Sequence, residues 1–332
     1  MNANLLDVRN LSVSFHTDDG VFKAVDNVSL HVKRGEIVGL IGESGCGKSV
    51  TSLGILKLIP SPPGKIDSGR IYFKGHDLLK LDAVELRQIR GKAISMIFQE
   101  PLAALSPLQR IGQQLVEALK LHNDISKKEA WALAEKWLEK VKIPDVKERM
   151  FAYPFQLSGG MQQRVMIAMA MMLEPDLIIA DEPTTALDVT IQAKIFSLIK
   201  EMRQEKTSIL LITHDMGVIW EMCDRVIVMY ASRIAEEASK DDIFVKPAHP
   251  YTQGLLNSIP KLTADSGRLE AIPGQVPSPF NYPSGCHFRD RCPHAFDQCA
   301  REIPPLMNLA AGHRAACWIA DKLIHQNNNN TD

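Results

Sequence analysis

The chain has 332 residues, 45% hydrophobic and 23% charged, which places it among folded globular chains long enough for two domains. A formal net charge of −1 leaves no basic excess to recognise nucleic acid or an anionic membrane surface. The longest apolar stretch, Val165 to Leu173, falls far short of the ~20 residues that span a bilayer. Met1-Asn-Ala-Asn-Leu-Leu-Asp7 lacks the regions of a signal peptide, so a cytosolic protein is expected.

Residues 6–15 and 22–32 alternate apolar and polar around Asp18-Asp19-Gly20, which predicts a strand pair. Glu36 to Ile41 is an apolar run that reads as a short buried strand. Behind it comes Gly42-Glu43-Ser44-Gly45-Cys46-Gly47-Lys48-Ser49, then a stretch from Lys48 to Leu58 with the composition of a helix. Residues 67–75 read as a further turn and strand, and Ala93 to Phe98 as a buried strand ending at Gln99. From about 101 to 157 the pattern is helical. Ser126-Lys-Lys-Glu129 is a capping box, followed by Ala130, Leu133, Ala134, Trp137, Leu138 and Val141 at helical spacing. Both tryptophans of this stretch are expected in the core.

After Leu157-Ser158-Gly159-Gly160-Met161 an apolar helix runs to Leu173. Leu177 to Asp181 is an apolar strand ending in acid, residues 191–203 are helical, and residues 208–213 and 225–230 are strands. Strands alternating with helices imply an α/β domain with a mostly parallel sheet. Beyond about 240 the chain becomes rich in proline and loops, and a domain boundary is placed there. The end, 327–332, is low-complexity and expected to be disordered.

The glycine loop fits G-x-x-x-x-G-K-[ST], the phosphate-binding P-loop, in its required strand–loop–helix context. Its backbone N–H groups and the helix N-terminus can close around phosphate oxygens. Lys48 can reach the β- and γ-phosphates, and the Ser49 hydroxyl can ligate Mg²⁺. Asp181 and Glu182, at the end of an apolar strand downstream of a P-loop, read as a magnesium-holding acid and a water-polarising acid.

Leu157-Ser158-Gly159-Gly160-Met161-Gln-Gln-Arg164 resembles the signature sequence of ABC ATPases, with Met161 where a glutamine is commoner. The resemblance implies an α/β P-loop NTPase fold: a mostly parallel sheet core, an antiparallel β subdomain and a helical subdomain at about 100–157, together spanning 1–240. It implies ATP contacts from the whole P-loop with Val50, and in trans, across a dimer, from Ser158, Gly159 and Gly160. Ala186-Leu187-Asp188 matches the family's D-loop, also acting in trans. His214 matches its switch histidine and Gln99 its Q-loop. Phe15, with Phe22 second, is the candidate for stacking on adenine.

The tail narrows the family. Pro247-Ala-His249-Pro250-Tyr251-Thr-Gln-Gly254-Leu-Leu256 and Ile272-Pro-Gly274-Gln-Val-Pro277 resemble the C-terminal hallmark of oligopeptide and dipeptide permease ATPases, a small loop-rich domain over 241–326. No catalytic role is assigned to His249 or Tyr251. The resemblance implies the ATP-hydrolysing subunit of a bacterial dipeptide importer, with nickel or oligopeptide import as alternatives. A soluble ATPase acting on nucleic acid or ribosomes is the remaining contrast. It further implies a distinct second ATPase subunit, two transmembrane permease subunits and, indirectly, a periplasmic or lipid-anchored peptide-binding protein. The location implied is the cytoplasmic face of the inner membrane.

Four of the six cysteines, Cys286, Cys292, Cys299 and Cys317, fall in this tail. Four thiolates match the ligand count of a [4Fe–4S] cluster or of structural Zn²⁺. The absence of a C-x₂₋₄-C pair and Pro293 after Cys292 favour the cluster, and four unliganded thiols are the third possibility. Such a site is expected to be structural or regulatory and remote from the P-loop.

Overall fold

A computed structural model describes residues 4–184, 189–203, 206–259 and 271–328. Its strands, in chain order, are β1 (Leu6–Thr17), β2 (Gly20–Val32), β3 (Ile37–Ile41), β4 (Gly64–Phe73), β5 (His76–Asp77), β6 (Ile94–Ile97), β7 (Leu177–Asp181), β8 (Ser208–Ile212), β9 (Arg225–Tyr230), β10 (Arg233–Ser239), β11 (Met307–Ala310) and β12 (His313–Ala315). The chain divides into two compact units, neither continuous in sequence. One comprises Met1–Leu5, Val32–Ile37 and Lys80–Ile212, and the other Leu6–His31, Val38–Leu79 and Thr213–Asp332.

In the first unit β6, β7 and β8 lie side by side and parallel, Ile179 opposite both Met96 and Leu210. All three are buried throughout, as strands covered on both faces must be. The predicted helical stretch resolves into helices that include Ile111–His122 and Lys127–Lys140. The second begins at the predicted capping box: the Ser126 side chain accepts from Glu129 N–H, and the Glu129 carboxylate from Ser126 N–H. Its inward stripe is Ala130, Ala134, Trp137 and Leu138. Trp131 is only half-buried; its ring packs on Phe151 and its indole N–H bonds Glu135.

In the second unit a sheet of order β2-β1-β4-β5 includes antiparallel pairing of β1 with β4. A further set runs β11-β12-β10-β9-β3, with β3 parallel to β9 and the rest antiparallel. Strand β10 and the helices Lys240–Val245 and Pro250–Asn257 stand where the sequence pattern changes to loop. Strands β11 and β12 come from the tail and extend the set at β10. Ala248, Ala315 and Ala320, with Leu309, Cys317 and Ile324 against them, form a small apolar core there. The tail thus contributes strands and a small apolar core of its own. The helix Ala320–Asn328 also carries two residues of the stretch expected to be disordered.

Buried charges join these strands. The Glu237 carboxylate, 2% exposed, accepts from Arg225 on β9 at 2.5 Å and from Arg314 on β12. Glu236 accepts from the Ala248 and His249 N–H groups at 2.6 and 2.9 Å and pairs with His313 at 2.8 Å. Burial pushes the His249 ring down to about 4, so it is neutral and its Nδ1 accepts from Tyr251 N–H at 3.0 Å, capping the helix Pro250–Asn257. Removing one partner of such a network leaves the others desolvated and unpaired. Glu237→Ala is therefore expected to cost about 3–5 kcal/mol of stability, read as a lowered urea midpoint of the full chain.

Candidate functional site

The P-loop leaves β3 at Gly42 and enters the helix Lys48–Ile55. Two of its glycines are required by contact as well as conformation. A Cβ on Gly42 (φ +152°) would lie 2.2 Å from the Met229 carbonyl oxygen, and one on Gly47 (φ +104°) 2.2 Å from that of Ala24. Either is an impossible approach to backbone, so the loop is wedged between β9 and β2. No side chain caps the helix at Gly47, which leaves its positive end for an anion. Lys48 is 5% exposed, and its ammonium donates to the loop's own carbonyls, Gly42 at 2.8 Å and Glu43 at 3.1 Å. Ser44 and Gly45 are exposed, Ser49 and Val50 half-buried. Cys46 is buried and its thiol is pushed up by burial, so it serves as packing. The Glu43 N–H is committed to the Tyr251 hydroxyl at 2.8 Å.

The acid pair belongs to the other compact unit, as does Gln99. Asp181 ends β7, 5% exposed. Glu182 turns the chain with φ +44°, its N–H donating to Ile212 O at 2.9 Å. The Gln99 side chain, though 83 residues away, donates Nε2–H to Glu182 Oε2 at 3.3 Å. The structure thus brings together two residues singled out separately in the sequence. Ser158 N-caps the helix Gly159–Met171, accepting from Met161 N–H at 3.4 Å. Ser158 and Gly159 are exposed, and a Cβ on Gly159 would meet nothing within 4 Å. From the same helix buried Gln163 donates to the Pro183 carbonyl, tying the signature segment to the chain just after Glu182. His214 is exposed, one residue before Asp215, which caps the helix Met216–Met222. Asp188 lies outside the described residues.

The ring of Phe15 stacks on Phe22 with centroids 5.6 Å apart, and Phe22 in turn meets Phe280 edge-on at 4.9 Å. The two candidates therefore form one aromatic cluster that a tail residue joins. Phe280 had no signal in the sequence, because it sits in a proline-rich loop without periodicity.

Cys286, Cys292, Cys299 and Cys317 line one cavity with Phe288 and Trp318. As it stands the cavity has room for about one water molecule. Among the described residues no group of three or more His, Cys, Asp or Glu side chains is arranged to hold a metal ion. Burial pushes the Cys286 thiol up to about 11 and the Cys317 thiol up to about 12, which keeps both protonated. The four-thiol set is gathered but is not a formed metal site. Nor is its segment remote from the P-loop as expected. Arg291, next to Cys292, forms a two-pronged ion pair with Glu43, at 2.7 and 3.0 Å across 248 residues of sequence.

Comparison with known proteins follows these features closely. Residues 25–185 match the family described as ABC transporter, and residues 235–299 the one described as oligopeptide/dipeptide transporter, C-terminal region. The chain is 49% identical to the dipeptide transport ATP-binding protein DppD of Bacillus subtilis, over 96% of this chain and 95% of that one. It is 48% identical to the probable peptide ABC transporter ATP-binding protein y4tR of Sinorhizobium fredii, over 97% and 96%. Among solved structures, a dimeric post-hydrolysis state of the ATP-binding cassette MJ0796, bound to ADP and Pi, aligns at a TM-score of 0.64 and 30% identity, covering 71% of this chain and 98% of that one.

Proposed function

The chain belongs to the ABC transporter ATP-binding family, in its peptide-transport branch, and from that premise we propose that it hydrolyses ATP with Lys48, Asp181 and Glu182 to drive dipeptide import. The observation that carries the catalytic assignment is the Gln99–Glu182 hydrogen bond, which orients a carboxylate at the end of a buried strand. The P-loop from Gly42 to Ser49, with Val50 behind it, receives the triphosphate. There the Lys48 ammonium exchanges the Gly42 and Glu43 carbonyls for β- and γ-phosphate oxygens. Ser49 and Asp181 would hold Mg²⁺, which neutralises charge developing on the phosphates. Glu182 polarises the attacking water, Gln99 fixes that carboxylate, and His214 contacts the γ-phosphate. Adenine rests on the aromatic cluster of Phe15 and Phe22.

A peptide-transporter ATPase works with transmembrane permease subunits, and among the described residues no helix is long and apolar enough to cross a membrane. We place the chain at the cytoplasmic face of the inner membrane, with domains at 1–240 and 241–326. Its immediate partner is a second, distinct ATPase subunit, and a periplasmic or lipid-anchored peptide-binding protein delivers substrate. Ser158, Gly159 and Gly160 at an open helix start, with Asp188, complete the partner's ATP site in trans. Dipeptides are preferred on the whole-length likeness to a dipeptide transport protein, with oligopeptides next.

Glu182→Gln keeps the hydrogen-bonding shape but not the base. In the assembled transporter it is expected to bind ATP normally and to slow turnover by about two or more orders of magnitude. Unchanged turnover, after subtracting the partner subunit's own activity, would remove Glu182 from the mechanism. Ser158→Arg is expected to leave ATP affinity of the isolated subunit intact while preventing ATP-dependent association with the partner. Collapse of that affinity would mean the loop serves its own site.

The four tail cysteines carry a separate proposal, a [4Fe–4S] cluster with Zn²⁺ as the alternative, supported by their gathering around one cavity. Protein purified without air should be brown, with about four irons and four sulfides per chain. One equivalent of zinc in colourless protein would decide for zinc, and neither metal with four alkylatable thiols would end both readings.

A further inference from the structure

The second residue of the P-loop, Glu43, is held from three directions. Its carboxylate receives both arms of the Arg291 guanidinium, Nη1 to Oε2 at 2.7 Å and Nη2 to Oε1 at 3.0 Å. Its backbone N–H donates to the Tyr251 hydroxyl at 2.8 Å, and its carbonyl accepts from the Lys48 ammonium at 3.1 Å. Arg291 has little freedom to let go. It is 7% exposed, donates from Nε to the Pro273 carbonyl at 2.9 Å, and lies near the rings of Tyr230 and Phe288. Tyr251 is fully buried against the same two rings. A guanidinium fork matches a carboxylate in a fixed plane, so this contact sets the orientation of Glu43 as well as its distance.

We infer that Arg291 and Tyr251 are positioning residues for the nucleotide site: from the C-terminal segment they fix Glu43, and with it the loop backbone whose carbonyls hold Lys48 until phosphate replaces them. The inference rests on the P-loop reading above, and it makes the C-terminal segment part of the apparatus that binds ATP. Linkage is reciprocal. If the latch favours the ATP-binding form of the loop, ATP must in turn stabilise the latch and the segment around Arg291.

The test uses the full-length chain, a fluorescent ATP analogue with Mg²⁺, and the variants Arg291→Met, Arg291→Lys, Tyr251→Phe, Glu43→Gln and the double variant Glu43→Gln/Arg291→Met. Arg291→Met is expected to weaken nucleotide binding about tenfold. Arg291→Lys, which keeps the charge but not the fork, should weaken it less, and Tyr251→Phe by about threefold. The double variant should bind no worse than the weaker single one, because both changes break one contact. Urea midpoints separate this from unfolding. Hydrogen exchange supplies the readout that a merely structural role would not move. ATP should slow exchange of the Cys286, Arg289 and Arg291 amides, which are bonded to Cys299, Cys286 and Phe288 carbonyls, in the wild type but not in Arg291→Met. Wild-type affinity in all single variants, additive losses in the double one, or exchange indifferent to ATP would overturn the inference. If Arg291→Met does not fold, Arg291→Lys and Glu43→Gln carry the same comparison. A wild-type chain that does not bind the analogue would instead overturn the nucleotide reading, and this inference with it.

Discussion

The rest of the second unit depends on a close approach of backbone to backbone. The carbonyls of Met229 and Ala24 press on the P-loop at Gly42 and Gly47, where even a methyl group has no room. This contact ties the loop to β9 on one side and to β2 on the other. It also leaves the helix Lys48–Ile55 without a side-chain cap, so its electrostatically positive end remains for phosphate. Steric exclusion and an uncapped helix start are thus two consequences of the same glycines.

Around the loop the unit places charge where hydrophobic residues would pack more cheaply. Glu236 and Glu237 are both nearly inaccessible, and each has more than one donor. Arg291 follows the same pattern on Glu43. Ion pairs of this kind add little net stability over an apolar replacement, but they penalise any alternative register that separates the partners. They join the tail to β9, β10 and the P-loop, so what reads as an appendage is bonded into the nucleotide-binding region.

In the first unit the geometry serves orientation rather than cradling. Strand β7 delivers Asp181 and Glu182 from a fully buried frame. Gln99 reaches Glu182 from the end of β6, and Gln163 reaches the Pro183 carbonyl from the signature helix. A change at either end of these contacts therefore acts on the same short turn.

Much of this was legible in the chain. The P-loop was legible as a motif, and the signature segment through its resemblance to ABC ATPases. The acid-terminated strand and the capping box at Ser126 were legible from local spacing, which the 3.6- and 2-residue periods of helix and strand set. The buried strands showed as short apolar runs for the same reason. What the sequence alone determined was the set of chemical groups, their order and the elements that carry them. Tertiary structure decided which distant groups meet. Glu43 and Arg291 are 248 positions apart, and no periodicity relates them. Phe280 joins Phe22 only because the tail packs against the β subdomain. The four cysteines suggested a metal by count and spacing, and the fold gathers them around one cavity, but ligation requires convergence within a few ångströms, and among the described residues no three such side chains are arranged to hold a metal ion. Spacing along a chain constrains only the near neighbours that share an element; contacts between elements are chosen by packing, and packing is a property of the whole fold.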